Sequence, residues 1–404
     1  MMADEGPEWR SAQARAAELA EALPRQVARA QGLPGYGALA GVDAGAITDA
    51  AALAALPVLR KGALMEAQAA RRPFGGLATV EATGFTHLFQ SPGPIYEPGM
   101  SNAEDWWRFA PFLRALGIGA GDVVQNCFGY HLTPAGMMFD NGARAVGAAV
   151  IPAGTGQTEL QVRAAADLGA TAYAGTPDYL KVIVEKADEM GVALGISRAA
   201  VSGGALFPSL REWYAGRGIT CLQCYATADL GNIAYESSPE SGLIVAEGVV
   251  VEIVTPGTGD PVPEGEVGEV VVTTLNPDYP LIRFATGDLS AVLPGQSDCG
   301  RSNMRIKGWM GRADQTAKIK GMFVRPEQVA ELVSRVGAAR ARVTVTREDE
   351  RDVMAVAFES EGGSKDTLAE AVREILKLSG EVSIHSLGSL PKDGKVIDDQ
   401  RSYD

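Results

Sequence analysis

The stretch "LPKDGKVID" near the C-terminus holds a lysine, Lys395, in a sequence that is typical of a tight turn. Pro391 fixes the backbone four residues earlier, and Gly394 permits a positive φ immediately before the lysine. A turn of this kind presents an ammonium group that can stabilise negative charge, and the alternative is an ordinary surface lysine. In either case we expect Lys395 to have no buried partner.

A second group of cations lies within "KIKGMFVR", where Lys318, Lys320 and Arg325 form a basic cluster. The whole chain is acidic, with 36 Lys and Arg against 50 Asp and Glu and a net charge of −14. This charge disfavours nucleic acids and anionic membranes as partners, and an anionic ligand would need a local basic patch. The cluster is either such a patch or a solvated strand face, and the sequence leaves both readings open.

Length and composition predict a multidomain cytoplasmic protein. The chain has 404 residues, of which 46% are hydrophobic, and this exceeds what one ordinary core accommodates. Four cysteines and an acidic start without an apolar targeting segment favour a reducing cytoplasm. No run of 18 apolar residues occurs, so we expect no membrane span.

The elements that must position these residues follow from the hydrophobic pattern. Between 119 and 225, short apolar runs alternate with helical stretches, which predicts a parallel sheet covered by helices. The clearest helix is "TPDYLKVIVEKADEMG", with Thr176 as the predicted cap, Pro177 in the first turn and Gly191 at the end. After 242 the runs are strand-like with Gly and Pro turns, which predicts a β-rich subdomain. From Arg312 the order β, β, α, β predicts a small α+β unit.

Three motifs carry a family resemblance when they are taken together. "RFATGDLS" (283–290) alone reads as a common β-turn, but it is followed by "GRADQTAKIKGMFVRPEQV" (311–329) and then by "LPKDGKVID". In this order the motifs resemble the adenylate-forming superfamily, and most of all phenylacetate–CoA ligase, with its RYRTGDL, GRxDDMLxxRGxNVFPxQIE and PRxEGKAxRxxD stretches. The resemblance extends to 52–64, 126–139 and 150–161, and so covers most of the chain.

The resemblance implies an α/β fold and a two-step reaction. A large N-terminal domain (1–310) would bind the nucleotide, and a small mobile α+β domain (311–404) would carry Lys395. Such enzymes join a carboxylate to ATP, release pyrophosphate, and pass the acyl group from acyl-AMP to the thiol of coenzyme A. Lys395 would then be the adenylation lysine and Asp314 the hinge, while Asp229 would hold Mg²⁺, because a cation must stand between carboxylate and α-phosphate.

The resemblance also implies roles for residues that contact the nucleotide and coenzyme A. Asp288 would accept hydrogen bonds from the ribose hydroxyls, and Arg312 would contact ribose or phosphate. Gly204 and Ala205 would pack against adenine, with Tyr225 stacked on the base. The coenzyme A site would be formed by the pantetheine path at Gly321 and by the basic cluster, Lys318, Lys320 and Arg325.

The acyl pocket is implied by "CFGYHLTPAG", in which the wall or gate residues would be Phe128, Tyr130 and His131. For His131 a buried, hydrogen-bonded histidine is an equally weighted alternative. The aromatic lining favours an aryl or arylalkyl acid as the substrate.

The sequence departs from the family pattern at the phosphate loop, which reads like SSGTTGKPT in relatives and is "QSPGPIYEPGM" here. Ser91 and Gly93 remain, but the Thr pair and the Lys do not, and Pro92 and Pro94 lack an N–H donor. The family's Ser/Thr-Glu pair is Ala228-Asp229. A Cys/His zinc site found in some relatives is reduced to Cys299, and "CLQC" (221–224) lies in a predicted buried strand that disfavours zinc.

The sequence therefore predicts an AMP-forming acid–CoA ligase that uses ATP, Mg²⁺ and coenzyme A on a small carboxylic acid. One alternative is an acyl-adenylate former whose acceptor is not coenzyme A. Another is a nucleotide- or acyl-binding protein on a degenerate ligase scaffold, which the altered loop favours. The oligomeric state stays open, with a homodimer among the alternatives.

Overall fold

The computed structural model describes residues 6–313, 315–348, 351–360, 362, 364–391 and 395–401. The chain divides into two compact units. The first comprises 1–286 and 290–309, and the second comprises 287–289 and 310–404.

The first unit contains eight α-helices among its described residues: α1 (Ala12–Gln31), α2 (Ala50–Leu53), α3 (Lys61–Ala70), α4 (Ala110–Ala115), α5 (Ala135–Ala145), α6 (Thr158–Asp167), α7 (Pro177–Met190) and α8 (Pro208–Ala215). Its strands are β1 (Leu59–Arg60), β2 (His87–Ser91), β3 (Ile95–Gly99), β4 (Val123–Asn126), β5 (Ala149–Pro152), β6 (Ala172–Gly175), β7 (Arg198–Val201), β8 (Thr220–Thr227), β9 (Gly231–Tyr235), β10 (Leu243–Val245), β11 (Val249–Val254), β12 (Val267–Thr274), β13 (Phe284–Leu293) and β14 (Arg305–Ile306).

A parallel sheet forms the half of this unit where strands and helices were predicted to alternate. Its strands lie in the order β5-β4-β6-β7-β8, and all four neighbouring pairs are parallel. The strands are short apolar runs, and β6 is buried along its whole length, as expected for a sheet covered on both faces. The predicted α/β fold is therefore confirmed.

Helix α7 follows the predicted pattern except at its cap. Leu180, Ile183 and Ala187 are buried on one face, and Gly191 ends the helix with a φ of 65°. Thr176 occupies the cap position, but its side chain makes no capping hydrogen bond, so the predicted cap is wrong in that detail. Pro177 needs no hydrogen-bond acceptor in the first turn, which lowers the requirement for a cap.

The β-rich half continues the same sheet through antiparallel pairs. Strand β9 pairs with β8, β10 pairs with β9, and β11 pairs with β12, so that twelve strands of the described chain belong to one sheet. Strands β2 and β3 form a separate two-stranded hairpin. No helix of the described residues combines the length and the apolar character that crossing a lipid bilayer requires.

The second unit is a small α+β fold with its own core. Its elements are β15 (Ala317–Ile319), β16 (Met322–Val324), α9 (Pro326–Val336), β17 (Arg340–Glu348), β18 (Arg351–Glu359), α10 (Lys365–Leu376), β19 (Glu381–His385) and β20 (Ile397–Asp399). Four strands lie in the order β19-β18-β17-β20, and Val343, Val356 and Phe358 are fully buried between this sheet and the helices. The predicted β, β, α, β order corresponds to β17, β18, α10 and β19.

Arg283 is a fully buried guanidinium that holds several segments of the first unit together. Its side chain lies 3.0 Å from Glu252 of β11 as an ion pair, and it donates to the backbone carbonyls of Ala54, Leu56 and Gly259. Its own carbonyl accepts from the amide of Leu59, at the start of β1. The segment that leads into α3 is thus fixed by one charged side chain.

We expect Arg283→Met to destabilise the protein by about 3–5 kcal/mol, because it leaves Glu252 buried without its cation. Unfolding in urea, followed by circular dichroism, measures this loss. The double variant Arg283→Met/Glu252→Gln should recover part of it, since the unpaired charge is then removed. If Arg283→Met is as stable as the parent protein, the ion pair with Glu252 does not hold these segments together.

Candidate active site

The parallel strands bring most of the predicted site segments of the first unit to one edge of the sheet. Strands β4, β6, β7 and β8 run in the same direction, so the segments that follow their carboxyl ends meet there. These segments contain Phe128, Gly204 and Asp229, and Tyr225 lies near the carboxyl end of β8 itself. The crevice at such an edge is where open α/β sheets bind ligands.

The segment after β4 provides the aromatic residues predicted for the acyl pocket. The buried ring of Phe128 stacks on Phe139 with 4.4 Å between ring centroids. The Tyr130 hydroxyl accepts a hydrogen bond of 2.8 Å from Asn126, and burial raises the pKa of Tyr130. His131 is exposed, so the alternative of a buried histidine is wrong.

The segments after β6 and β7 lie beside this aromatic group. A Cβ atom at Gly203 would contact both the Phe128 ring and Thr176 at 3.8 Å, and one at Gly204 would lie 3.3 Å from Pro177. Gly204 is exposed and Ala205 half-buried. Tyr225 is buried in β8, next to Cys224, whose carbonyl accepts from Ser202 at 2.9 Å. The predicted adenine-binding residues therefore lie on adjacent strand ends.

The altered phosphate loop is the turn of the β2–β3 hairpin. Ser91 ends β2 and pairs with Ile95, so that Pro92, Gly93 and Pro94 form the turn. A Cβ atom at Gly93 would lie 3.2 Å from the sulfur of Met65 in α3, which places the turn against that helix. The hydroxyl of Ser91 donates to the carboxylate of Glu97 and is not simply presented to a ligand.

A group of charged side chains lies behind this turn. Lys61 Nζ is 3.1 Å from Asp229 Oδ2, and the side chain of Asp229 is only 2% exposed. Glu97 is also 2% exposed. Burial raises the pKa of Glu97 to about 8, with a further increase from the charge of Asp229. The predicted Mg²⁺ ligand therefore has both a cation and a second carboxylate as neighbours.

The sequence analysis missed Lys61 and Glu97 as site residues. Lys61 lies in "LAALPVLRKGAL" (52–64), a stretch that carries the family resemblance, and this was a usable signal. Glu97 lies in "QSPGPIYEPGM", where the loss of side-chain and backbone donors is the evident departure from the family's phosphate loop. A charged residue three positions after a turn gives no sign of its burial, because burial depends on the packing of α3.

Asp229 fits a role in holding Mg²⁺. Its Oδ1 atom is buried and has no hydrogen-bond partner among the described residues, and carboxylate oxygen is the donor that Mg²⁺ prefers. No group of three or more His, Cys, Asp or Glu side chains suited to a metal occurs in the described part of the chain. Magnesium commonly needs only one or two carboxylates when a substrate phosphate completes its coordination.

In the second unit, the two residues predicted to contact the ribose form an ion pair with each other. Arg312 Nη1 donates to Asp288 Oδ1 at 2.8 Å, and the two residues form an antiparallel bridge. Gly287 has a φ of 76°, and a Cβ atom there would lie 2.7 Å from the Arg312 guanidinium. Only glycine suits both the backbone and the space at this position.

The basic cluster surrounds the β15–β16 hairpin. Lys318 and Arg325 lie over the ring of Phe323, at 5.8 and 5.9 Å from its centroid. Lys320 and Gly321 form the two-residue turn, with φ values of 48° and 83°. A turn with two positive φ values matches the twist of a hairpin, and glycine adopts it without strain. A Cβ atom at Gly321 would meet no described atom within 4 Å.

Lys395 pairs with a buried carboxylate, and the expectation that it has no buried partner is wrong. Its Nζ lies 2.8 Å from Asp398 Oδ1, although the lysine side chain itself is 54% exposed. Asp398 also accepts from Arg342 at 2.8 Å and from Gln400 at 2.7 Å. The hydrogen bond from Lys395, together with these others, lowers the pKa of Asp398. The predicted hinge, Asp314, lies outside the described residues.

The cysteines differ sharply in their environment. Cys221 and Cys224 lie buried in β8, and burial raises the pKa of each to about 12. Cys127 is also buried, and burial raises its pKa. Burial alone would raise the pKa of Cys299 too, but hydrogen bonds outweigh it, among them those from Ser297 and Arg301, and the pKa falls to about 7.

Comparison with known proteins gives relatives of one kind. The phenylacetate-coenzyme A ligase of Escherichia coli K12 is 30% identical over 321 residues, which cover 73% of each chain. The phenylacetate-coenzyme A ligase of Thermus thermophilus is 32% identical over 227 residues, and this match spans 54% of the present chain and about half of the relative, 51%. No family model matches the chain.

Among solved structures, the chain resembles 2-hydroxyisobutyryl-CoA ligase, crystallised with 2-HIB-AMP and CoA. The TM-score is 0.80 at 22% sequence identity, and the superposition covers 98% of the present chain and 91% of the other. At this identity the likeness supports the fold. The family resemblance inferred from the three motifs is confirmed by the curated relatives.

We expect Cys299 to react with iodoacetamide faster than the other three cysteines in the folded protein, because only it has a lowered pKa. The rate should rise with pH around a midpoint of about 7. Mass spectrometry of peptides after timed quenching measures the labelling at each cysteine, and Cys299→Ser serves as the control. Equal labelling of Cys299 and Cys221 would contradict the prediction.

Proposed function

The chain belongs to the phenylacetate–CoA ligase family of AMP-forming acid–CoA ligases, and we propose that it activates a carboxylic acid with ATP and transfers it to coenzyme A. One observation in this chain carries the proposal. Asp288, Arg312 and Lys395, which the reaction requires, lie in charged pairs within the second unit, and Asp229 lies with Lys61 in the first. A protein that only bound nucleotide would have no need for the adenylation lysine.

In the first half-reaction a carboxylate oxygen attacks the α-phosphate, and two anions must approach each other. Lys395 supplies positive charge where they meet, and its effect is greatest in the transition state, where charge is concentrated. The ion pair with Asp398 keeps the lysine ordered, and Lys395 exchanges this carboxylate for the reacting oxygens. The hydrogen bond from Arg342 to Asp398 stays in place when the lysine leaves, so the buried carboxylate still has a cation as its partner.

Asp229 would hold Mg²⁺, which when bound neutralises phosphate charge and orients the leaving group. Asp288 would accept hydrogen bonds from the ribose hydroxyls, while Arg312 keeps its carboxylate in place and contacts ribose or phosphate. Gly204 and Ala205 would receive the adenine, with Tyr225 on its face. Ser91 and Gly93 would contribute less to phosphate binding than an intact loop, since Ser91 is hydrogen-bonded to Glu97.

In the second half-reaction the thiol of coenzyme A attacks the acyl-AMP. The basic cluster of Lys318, Lys320 and Arg325 would bind the phosphates of coenzyme A, and Gly321 would leave the pantetheine path open. By family resemblance, the small domain would rotate about Asp314 between the two half-reactions. The structure supports the open path, because the turn at Gly321 has free space around it among the described residues.

The acid is proposed to be an aryl or arylalkyl acid. The stacked pair of Phe128 and Phe139 supports this, since flat apolar rings favour an aromatic partner. Tyr130 and the exposed His131 would border the entrance. The four cysteines are all unpaired, which supports the cytoplasmic location that we also propose.

A second candidate function is supported by the altered loop. With two prolines in the turn and the Ser91 hydroxyl engaged by Glu97, the hairpin offers few donors to a triphosphate. A protein that binds nucleotide or acyl groups without catalysis would tolerate this loss. Pyrophosphate release, measured with a panel of aryl and aliphatic acids with and without coenzyme A, separates the two functions. Release that depends on the acid supports the ligase, and AMP binding without release from any acid supports the binding protein.

We expect Lys395→Ala to lower acyl-AMP formation by at least about a hundredfold, because charge stabilisation in the transition state is lost. Transfer from supplied acyl-AMP to coenzyme A should stay close to the parent rate. The two half-reactions are measured separately, together with a melting curve. Stability should change little, since Asp398 keeps Arg342 and Gln400 as partners.

The control for this variant is Lys365→Ala, which removes an exposed lysine from the first turn of α10. It should leave both half-reactions unchanged. If Lys395→Ala lowers both half-reactions equally while the protein stays folded, the assignment of the lysine to adenylation is wrong.

We expect Gly321→Leu to spare adenylation and to slow thioester formation more than about tenfold, or by ~1.4 kcal/mol. The leucine would project into the space proposed for pantetheine. Because a leucine at positive φ also strains the backbone, Gly337→Leu is the matched control, with a φ of 67° at the end of α9 and no described atom near its Cβ position. If both variants slow the two half-reactions alike, Gly321 serves the turn and not the path.

A further inference from the structure

Three buried oxygen atoms behind the β2–β3 hairpin lack a hydrogen-bond partner among the described residues. They are Glu97 Oε2, Asp229 Oδ1 and the hydroxyl of Tyr279. Glu97 is 2% exposed, Tyr279 is 3% exposed, and the side chain of Asp229 is 2% exposed. Buried polar atoms in native proteins are nearly always satisfied, so three in one region indicate a partner that the chain itself does not supply.

Each of the two carboxylates is held through its other oxygen. The Ser91 hydroxyl donates to Glu97 Oε1, and Lys61 Nζ lies 3.1 Å from Asp229 Oδ2. Two oxygens are thereby fixed in orientation while the other two stay available. Such an arrangement is what a ligand site needs, because its donors are positioned before the ligand binds.

Tyr279 lies next to Gln68, whose side-chain amide is attached to the backbone of β3. Gln68 donates to the carbonyl of Tyr96 at 2.8 Å and accepts from its amide at 2.9 Å. The same two hydrogen bonds attach α3 to β3, next to Glu97. They therefore hold Glu97 and Lys61, at the start of α3, in a fixed relation to each other.

The side chains lie close enough for their charges to interact. Burial raises the pKa of both Glu97 and Tyr279, and the charge of Asp229 raises both further. The two carboxyl groups share a single ammonium group, that of Lys61, in a region of low dielectric. A divalent cation, whose binding releases the proton that the raised pKa favours on Glu97, would provide a partner for all three oxygens.

We propose that Glu97 and Asp229 jointly bind a divalent cation such as Mg²⁺, and that the ammonium of Lys61 is the group this cation displaces. The inference rests on the proposed function in one respect, since a cation held here would meet the phosphates of ATP. Glu97 then gives the altered hairpin a way to bind phosphate through a metal ion instead of through backbone and lysine donors. Tyr279 supplies a third, neutral oxygen.

The competing explanation is that the hydrogen bond from Ser91 to Glu97 only closes the hairpin turn. In that case Glu97 has no role beyond local structure, and removing its charge would not affect cation binding. The two explanations differ in a quantity that can be measured without ATP, acid or coenzyme A.

The test is Mn²⁺ binding to the whole chain, followed by the loss of the free Mn²⁺ signal in electron paramagnetic resonance, with Mg²⁺ as competitor. Glu97→Gln and Asp229→Asn should each weaken binding more than about tenfold, because carboxylate number sets affinity at such sites. Ser91→Ala should weaken it less, since it only frees the orientation of Glu97. Lys61→Met should tighten binding, because the competing ammonium is gone.

Glu236→Gln is the matched control. Glu236 is equally buried, but both its oxygens accept hydrogen bonds, from Arg211 and from Gln223, so it has no free position for a metal. The Mn²⁺ binding curve of Glu236→Gln should equal that of the parent protein. Melting curves in EDTA check that each variant is folded.

The proposal is overturned if the parent protein binds no Mn²⁺, or if Glu97→Gln binds it as well as the parent does. It is also overturned if Lys61→Met binds Mn²⁺ no more tightly than the parent. These outcomes are distinct from failure of the proposed function, because pyrophosphate release is measured separately and depends on Lys395 and the acid.

Discussion

The ion pair between Arg283 and Glu252 is the interaction on which the geometry of the first unit depends most. The guanidinium is buried, and it gathers the carbonyls of Ala54, Leu56 and Gly259 around one charge. A buried cation of this kind is costly unless all its partners are present, so the segments that supply them cannot drift apart. Through the adjacent β1, these contacts fix where α3 begins and therefore the position of the Lys61 ammonium group.

From that fixed start, α3 determines the chemistry behind the hairpin. Lys61 reaches Asp229, and Gln68 ties the helix to β3, so that Glu97 is buried next to them. In relatives the phosphate loop offers hydroxyls, glycine amides and a lysine, whereas here the corresponding turn has two prolines and an engaged serine. The same region contains a buried carboxylate, that of Glu97. Missing donors and a buried anion act in the same direction if a cation mediates the contact with phosphate.

The second unit differs in its charges, because two cations proposed for the site each have a carboxylate partner that a ligand can replace. Arg312 pairs with Asp288, and Lys395 pairs with Asp398, which keeps Arg342. Pairs of this kind hold flexible side chains ready and reduce the entropy lost when a ligand binds. They also explain how an acidic protein can keep cations available for anionic substrates.

The sequence by itself determined the family and the α/β fold, because motif order and strand–helix alternation are local properties of the chain. It also located β4 to β8 and the limits of α7, where apolar periodicity and Gly191 mark the pattern. Only the tertiary structure decided that His131 is exposed, that Lys395 has a buried partner, and that Glu97 lies beside Asp229. These facts depend on contacts between residues far apart in the chain. Glu97 and Asp229 are brought together by the packing of α3 against the hairpin and the sheet edge, and no spacing along the sequence encodes that distance.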